Sequence, residues 1–215
     1  MAQMTGIGRK AAGQLAQLSG QRWGIGIGVL LIAISGLFGG LGTAPEQPAG
    51  VDTVIDAGPW KVTVTGARLT GDLPPMRLSD KKNYWIVVIA TVEITADRTW
   101  DLLGETVQLA PAKGIKNKPT KTLAGTPVHV NDGTVLMRDA AVIEQLNPGM
   151  PEKVAYFWEL ESTAPIPSEV KVYIGFRRYR VDGLTSHMNW MDDSAHNKSV
   201  VVPVVDRRSA TAASS

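Results

Sequence analysis

The stretch Tyr84 to Thr95, YWIVVIATVEIT, restricts the fold of this chain more than any other part of it. Its side chains alternate with a period of two, the spacing of a strand and not of a helix. The even positions Tyr84, Ile86, Val88, Ala90, Val92 and Ile94 are apolar along the whole length. The odd positions begin apolar, with Trp85, Val87 and Ile89, and end polar, with Thr91, Glu93 and Thr95. Such a strand needs a core over one face throughout and an apolar cover over only the first half of the other.

The same period recurs elsewhere. Trp60 to Thr65 (WKVTVT) is a clean alternation. Short strands fit residues 106–110 and 134–138, with Asn131-Asp132-Gly133 supplying a turn before the second. Residues 139–146 read as a helical turn or an irregular crossover, and Asn147-Pro148-Gly149 then breaks the chain. Residues 152–161 put Val154, Tyr156, Trp158 and Leu160 on one face, and residues 169–180 do the same with Val170, Val172, Ile174 and Phe176. Residues 199–205 close the set, and Pro203 marks them as an edge strand. Residues 206–215 carry no apolar period and are expected to be a disordered tail. About seven strands, long loops and little helix predict an all-β antiparallel sandwich over residues 58–205.

The order of these strands carries a resemblance. A long aromatic-led strand, the turn Leu146-Asn147-Pro148-Gly149, the strand Val154 to Leu160 and a further strand soon after resemble the telokin-like, immunoglobulin-like extracytoplasmic domains of Gram-positive membrane-anchored proteins. The resemblance covers residues 58–178 and departs from the lipoprotein members in lacking a lipid-attachment cysteine, since the chain has no cysteine at all. It implies an immunoglobulin-like sandwich at the cell surface and no defined chemistry.

Ahead of the domain, Gly24 to Leu41 (GIGIGVLLIAISGLFGGL) is an uncharged run of 18 residues. As a helix it would be about 27 Å long, close to the hydrocarbon thickness of a bilayer. Arg9, Lys10 and Arg22 precede it, and no basic residue follows until Lys61. That asymmetry predicts a cytoplasmic tail at 1–23, a single transmembrane helix at 24–41, a linker at 42–57 and an extracytoplasmic domain. A cleaved signal peptide is the competing reading, with Gly42-Thr43-Ala44 as the small-residue site and Pro45 disfavouring the cut. Gly24, Gly28, Gly36 and Gly40 fall on one i, i+4 row, a face on which another helix can approach closely, from a partner or from a second copy.

Residues 1–44 hold three basic residues and no acid, leaving 19 basic and 20 acidic residues for the remainder. A nearly neutral domain lacks the basic surface that nucleic-acid binding needs. Without cysteine there are no disulfides, thiolate metal sites or cysteine nucleophiles. His187 and His196 lie in one polar stretch with Asp192 and Asp193, but without a ligand-spacing motif. Glu159 and Glu161 share a strand face and read as solvated. No catalytic residues, metal or cofactor are therefore expected.

Two basic clusters remain as contact candidates, Lys113, Lys116, Lys118 and Lys121 in PAKGIKNKPTK, and Arg177, Arg178 and Arg180 around Tyr179. Either would suit an anionic polymer or lipid headgroup, or be simply solvated. Of the six tryptophans, Trp60, Trp85 and Trp158 sit in strand patterns, while Trp100 and Trp190 look loop-borne, as end packing or as partner contacts. The expected function is a non-enzymatic, membrane-anchored accessory subunit of a multi-pass membrane complex, a transporter or an envelope assembly. The alternative is a binding module for an anionic envelope polymer or lipid.

Overall fold

A computed structural model describes residues 47–208, apart from 102, 120, 124, 125 and 185. The proposed membrane span, its glycine row and the cytoplasmic tail lie outside the described residues. Among those described, no helix is long and apolar enough to cross a membrane.

Twelve strands run through the described residues: β1 (Val54–Asp56), β2 (Trp60–Thr70), β3 (Tyr84–Ile94), β4 (Val107–Leu109), β5 (Lys121–Leu123), β6 (Thr126–Val128), β7 (Gly133–Leu136), β8 (Glu152–Leu160), β9 (Glu169–Ile174), β10 (Arg177–Val181), β11 (Met188–Asp192) and β12 (Lys198–Asp206). Eight of them form one sheet, seven along the path β4-β9-β12-β2-β3-β8-β7 and the eighth, β1, off that path on β2. The path folds over at β12, whose residues 198–203 pair antiparallel with β9 while Val204–Asp206 pair parallel with β2. The parallel pairing departs from the all-antiparallel expectation.

The two halves face each other across a shared core. Val62, Ile86, Val88, Tyr156 and Trp158 of one half pack with Val107, Leu109, Val172, Ile174 and Val202 of the other. Buried polar atoms bridge the layers. The Trp60 indole donates to the Gly175 carbonyl at 3.1 Å, and the Trp158 indole to the His129 carbonyl at 3.1 Å. The Tyr156 hydroxyl meets Thr106 Oγ1 at 2.5 Å, and its burial pushes the phenol well above its ordinary pKa. The domain is a β-sandwich.

β3 behaves as its sequence requires. Ile86, Val88, Ala90, Val92 and Ile94 face the main core. On the other side Trp85 and Val87 join Phe157, Ala155, Val135 and Leu73 in a second, smaller cluster, and the face turns partly solvated from Ile89 onward.

Several expectations need correction. β2 runs on to Thr70, because a bulge between Val64 and Gly66 resets its alternation and returns Ala67 and Leu69 to the core. The segment read as a linker to residue 57 enters the sheet, with Ala49 bridging Val200 and β1 pairing with β2. Of the two readings of residues 139–146 the irregular crossover holds, tied by the bridges Val135–Val142 and Trp100–Leu146. The single strand expected over 169–180 breaks at Gly175 and restarts as β10. A Cβ at Gly175 would stand 2.8 Å from the Glu105 carbonyl oxygen, so the close approach there requires glycine. β12 is an interior strand, not an edge, despite Pro203. Asp206 and Arg207 are held by β2, through strand pairing and an Arg207 amide bond to the Leu69 carbonyl, so the tail cannot begin at 206.

Because Ile86 is fully buried in the main core, Ile86→Ala lowers the unfolding free energy by about 2–5 kcal/mol through a lost side chain and a cavity. Glu93→Ala, on the solvated end of the opposite face, changes it by less than about 1 kcal/mol. Urea denaturation of both variants measures the contrast.

Candidate functional site

The most distinctive surface feature is the hairpin β10–β11, which pairs only with itself. Its register sets Arg177 opposite Asp192, Tyr179 opposite Trp190 and Val181 opposite Met188. Paired residues share a face. One face therefore carries Arg177, Tyr179, Val181, Met188 and Trp190, and the other carries Arg178 and Arg180.

The base of the hairpin is docked on the sandwich. The Arg177 amide donates to the Ala57 carbonyl at 3.1 Å. Its guanidinium pairs with Glu105 and, at 3.2 Å, with Asp192, and lies over the Trp100 ring at 5.2 Å and the Trp60 ring at 5.9 Å. Those two indoles stack edge to face at 4.9 Å. Gly58, with φ +93°, passes directly beneath the hairpin, where a Cβ would stand 2.0 Å from the Arg177 carbonyl oxygen. Arg177 is thus an anchor of the hairpin, with its charge satisfied internally.

Farther out, Tyr179 and Trp190 stack with centroids 5.2 Å apart. They form one wall of an open cleft of about 400 Å³, whose other wall is Thr95, Ala96, Asp97 and Arg98 from the loop after β3. An aromatic wall opposite a hydroxyl, a carboxylate and a guanidinium suits a polar ligand with a flat or apolar side. Beyond the cleft the hairpin tip is bare: Tyr179 is 50% exposed, Val181 58%, Met188 49% and Leu184 97%.

The lysine loop lies at the opposite end of the sandwich. The Lys116 amide donates to the Glu159 carbonyl at 2.9 Å, where β8 ends against the start of β3. The nine residues of β8 at about 3.3 Å each put the two basic clusters roughly 30 Å apart. They do not form one site. Lys113 and Lys118 are exposed, and the side chain of Lys121 lies outside the described structure. The Lys116 ammonium donates to Ser79 Oγ and stands 3.8 Å from the Glu159 carboxylate.

Glu159 itself is buried, contrary to the expectation of a solvated strand residue. One of its oxygens accepts from the Ser79 amide at 3.0 Å, the Ser79 hydroxyl at 2.6 Å, the Asp80 amide at 3.4 Å and the Asn83 amide group at 2.7 Å. Burial alone would raise its pKa, but the bonds from Ser79, Asn83 and Asp80 outweigh it and hold the carboxyl below its ordinary value. Nearby Asp132 accepts from the Glu159 amide at 2.8 Å, and its own burial raises its pKa. This network ties the loop before β3 to the end of β8. Nothing in the alternation pattern marks it, since the partners are about 80 residues apart in sequence.

The remaining candidates are dispersed. Trp100 is buried against Trp60, as end packing, and Trp190 belongs to a strand rather than a loop. Arg178 is exposed and pairs with Asp193 at 3.2 Å, and Arg180 reaches the Asp192 carbonyl at 3.4 Å. His196 pairs with Asp193 at 3.0 Å, whereas Asp192 turns to Arg177. Among the described residues no three histidine or carboxylate side chains gather as a metal site would require.

No known family model matches the chain, and no curated protein does either. Among solved structures, the crystal structure of an uncharacterized beta-sandwich protein from Clostridium difficile 630 is similar to it, with a TM-score of 0.42 and 11% identity, over 75% of this chain and 97% of that one.

Two outcomes test this geometry. Gly58→Ala forces the hairpin off its seat, so amide exchange across β10 and β11 accelerates while β3 and β8 stay protected. Glu159→Gln lowers stability at neutral pH by about 2 kcal/mol, the scale of a hydrogen bond to a charged group. A depressed carboxyl contributes stability above its unfolded pKa of about 4.3 and loses it as pH falls through the folded value. The variant therefore flattens the acid limb of a stability–pH profile below about pH 4.3, and an unchanged limb would remove Glu159 from it.

Proposed function

We propose that the chain is a non-enzymatic, membrane-anchored accessory subunit of a multi-pass membrane complex, a transporter or an envelope assembly. One observation carries this reading: the chain's entry, the docked hairpin and the aromatic-walled cleft all gather at one end of the sandwich. Ala49 bridges Val200 in parallel, so the residues before it run alongside Lys198, which pairs with Ile174 beside the hairpin base. Gly24 to Leu41 is the anchor, with the N-terminus cytoplasmic and the sandwich outside. The row Gly24, Gly28, Gly36 and Gly40 packs against a helix of the partner, and the cleft takes a polar segment of that partner's outer surface. We read the sandwich as immunoglobulin-like, of the telokin-like kind. The turn Leu146 to Gly149 leading into β8, with β9 next, supports this.

A second reading, a binding module for an anionic envelope polymer, draws on the far end. There the link from Lys116 to Ser79 joins the loop that carries exposed Lys81 and Lys82 to the loop that carries exposed Lys113 and Lys118. Four exposed ammonium groups on two adjoining loops suit a polyanion.

Mild-detergent purification of the full chain is expected to recover a polytopic protein in stoichiometric amount. Gly28→Leu with Gly36→Leu should leave insertion and topology intact, since leucine is favourable in hydrocarbon. Loss of close helix packing, on the order of 1 kcal/mol or more, should reduce partner recovery several-fold. Recovery of the lone chain from the wild type would reject the accessory role. For the second reading, Lys113→Glu with Lys118→Glu should abolish salt-sensitive binding to a polyanion such as teichoic acid. Lys116 is left in place to spare the Glu159 network.

A further inference from the structure

We infer that the tip of the β10–β11 hairpin is a lipid contact, seating Val181, Leu184 and Met188 in the headgroup–acyl boundary of the bilayer. The inference rests on the anchoring proposed above and adds a surface that anchoring alone does not require.

Three observations converge. The first is an apolar tip that the described residues leave largely uncovered. Leu184 is 97% exposed, and Val181 and Met188 flank it on one face at 58% and 49%. Each side chain of a soluble hairpin tip has polar alternatives, and three large apolar residues in one place mark a surface that is covered in use.

The second is the order of residue types behind the tip. Tyr179 and Trp190 follow as the next pair on the same face, and Arg178 and Arg180 stand on the opposite face. Aliphatic groups deepest, amphipathic rings next and guanidinium groups beside them match the gradient from acyl chain to headgroup to phosphate. A protein partner would not require that gradient. The arginines do not make the hairpin strongly cationic, because Arg177 and Arg178 face Asp192 and Asp193. Insertion is thus led by the apolar tip, with charge secondary.

The third is the length of chain outside the structure and where it ends. Five residues, 42–46, separate the end of the apolar run from Gln47. Such a segment spans at most roughly 20 Å. The parallel bridge of Ala49 to Val200 brings the chain in from the hairpin's end of the sandwich. The described chain thus begins at the hairpin's end of the sandwich and not at the lysine loop's, the end a second membrane contact would need.

The chain has no cysteine, so a single one can be labelled without background. Leu184→Cys, and Lys82→Cys on an exposed loop at the other end, are each labelled with an environment-sensitive nitrobenzoxadiazole dye. The full-length proteins are then reconstituted into phosphatidylcholine–phosphatidylglycerol vesicles with and without doxyl-labelled acyl chains. The Leu184→Cys probe is expected to shift to the blue and to be quenched by the doxyl lipids several-fold more than the Lys82→Cys probe. Flotation with the vesicles, resistant to carbonate, reads the anchor separately. Protein that floats with both probes equally quenched would overturn the lipid contact and leave the anchor standing. A blue shift at Leu184→Cys without doxyl quenching would overturn it too, by assigning the tip a protein cover. Protein that fails to float would overturn both.

Discussion

The sandwich is closed by a strand that serves both of its sheets. A strand inside a sheet must satisfy its amides and carbonyls on two sides. β12 does so by changing partners, from β9 along residues 198–203 to β2 along Val204–Asp206. Pro203 stands at the change. The Val204 amide points to the β9 side, bonding the Ser168 carbonyl at 2.9 Å. The missing N–H of Pro203 therefore falls on the other side, before the pairing with β2 begins, and no ladder bond is lost. The direction of β12 also arranges the ends of the molecule. It leaves the hairpin end and finishes at the lysine end, and the segment around Ala49 follows it in parallel. The common location of chain entry and hairpin is a consequence of this closure.

Charge is used differently at the two ends. At the hairpin end, Arg177 is nearly enclosed by Glu105, Asp192 and two indoles, so its guanidinium orients the hairpin and is not offered to a ligand. At the lysine end, Glu159 gathers Ser79, Asp80 and Asn83 and takes Lys116 as its counterion. A buried carboxylate with this many donors holds two distant segments in one geometry, and removing it would strand several of them. Among the exposed residues these networks leave outside are Tyr179 and the hairpin tip at one end, and Lys81, Lys82, Lys113 and Lys118 at the other.

Local pattern alone identified the β class, the interior strand β3 with its two unlike faces, and the aligned apolar face of β8, because side-chain alternation is a property of a few consecutive residues. It also singled out the basic residues and Trp190 as contact candidates, but could not say which were spoken for. The bulge in β2 hid that strand's second half, since one extra residue inverts the period. Gly175 concealed the break between β9 and β10, because the reason for it is the Glu105 carbonyl 70 residues earlier. The burial of Glu159, the anchoring role of Arg177 and the separation of the two basic clusters were decided only by tertiary structure. Each depends on contacts between segments far apart in the chain, and a one-dimensional pattern carries no record of which distant backbone or side chain will stand within 3 Å of it.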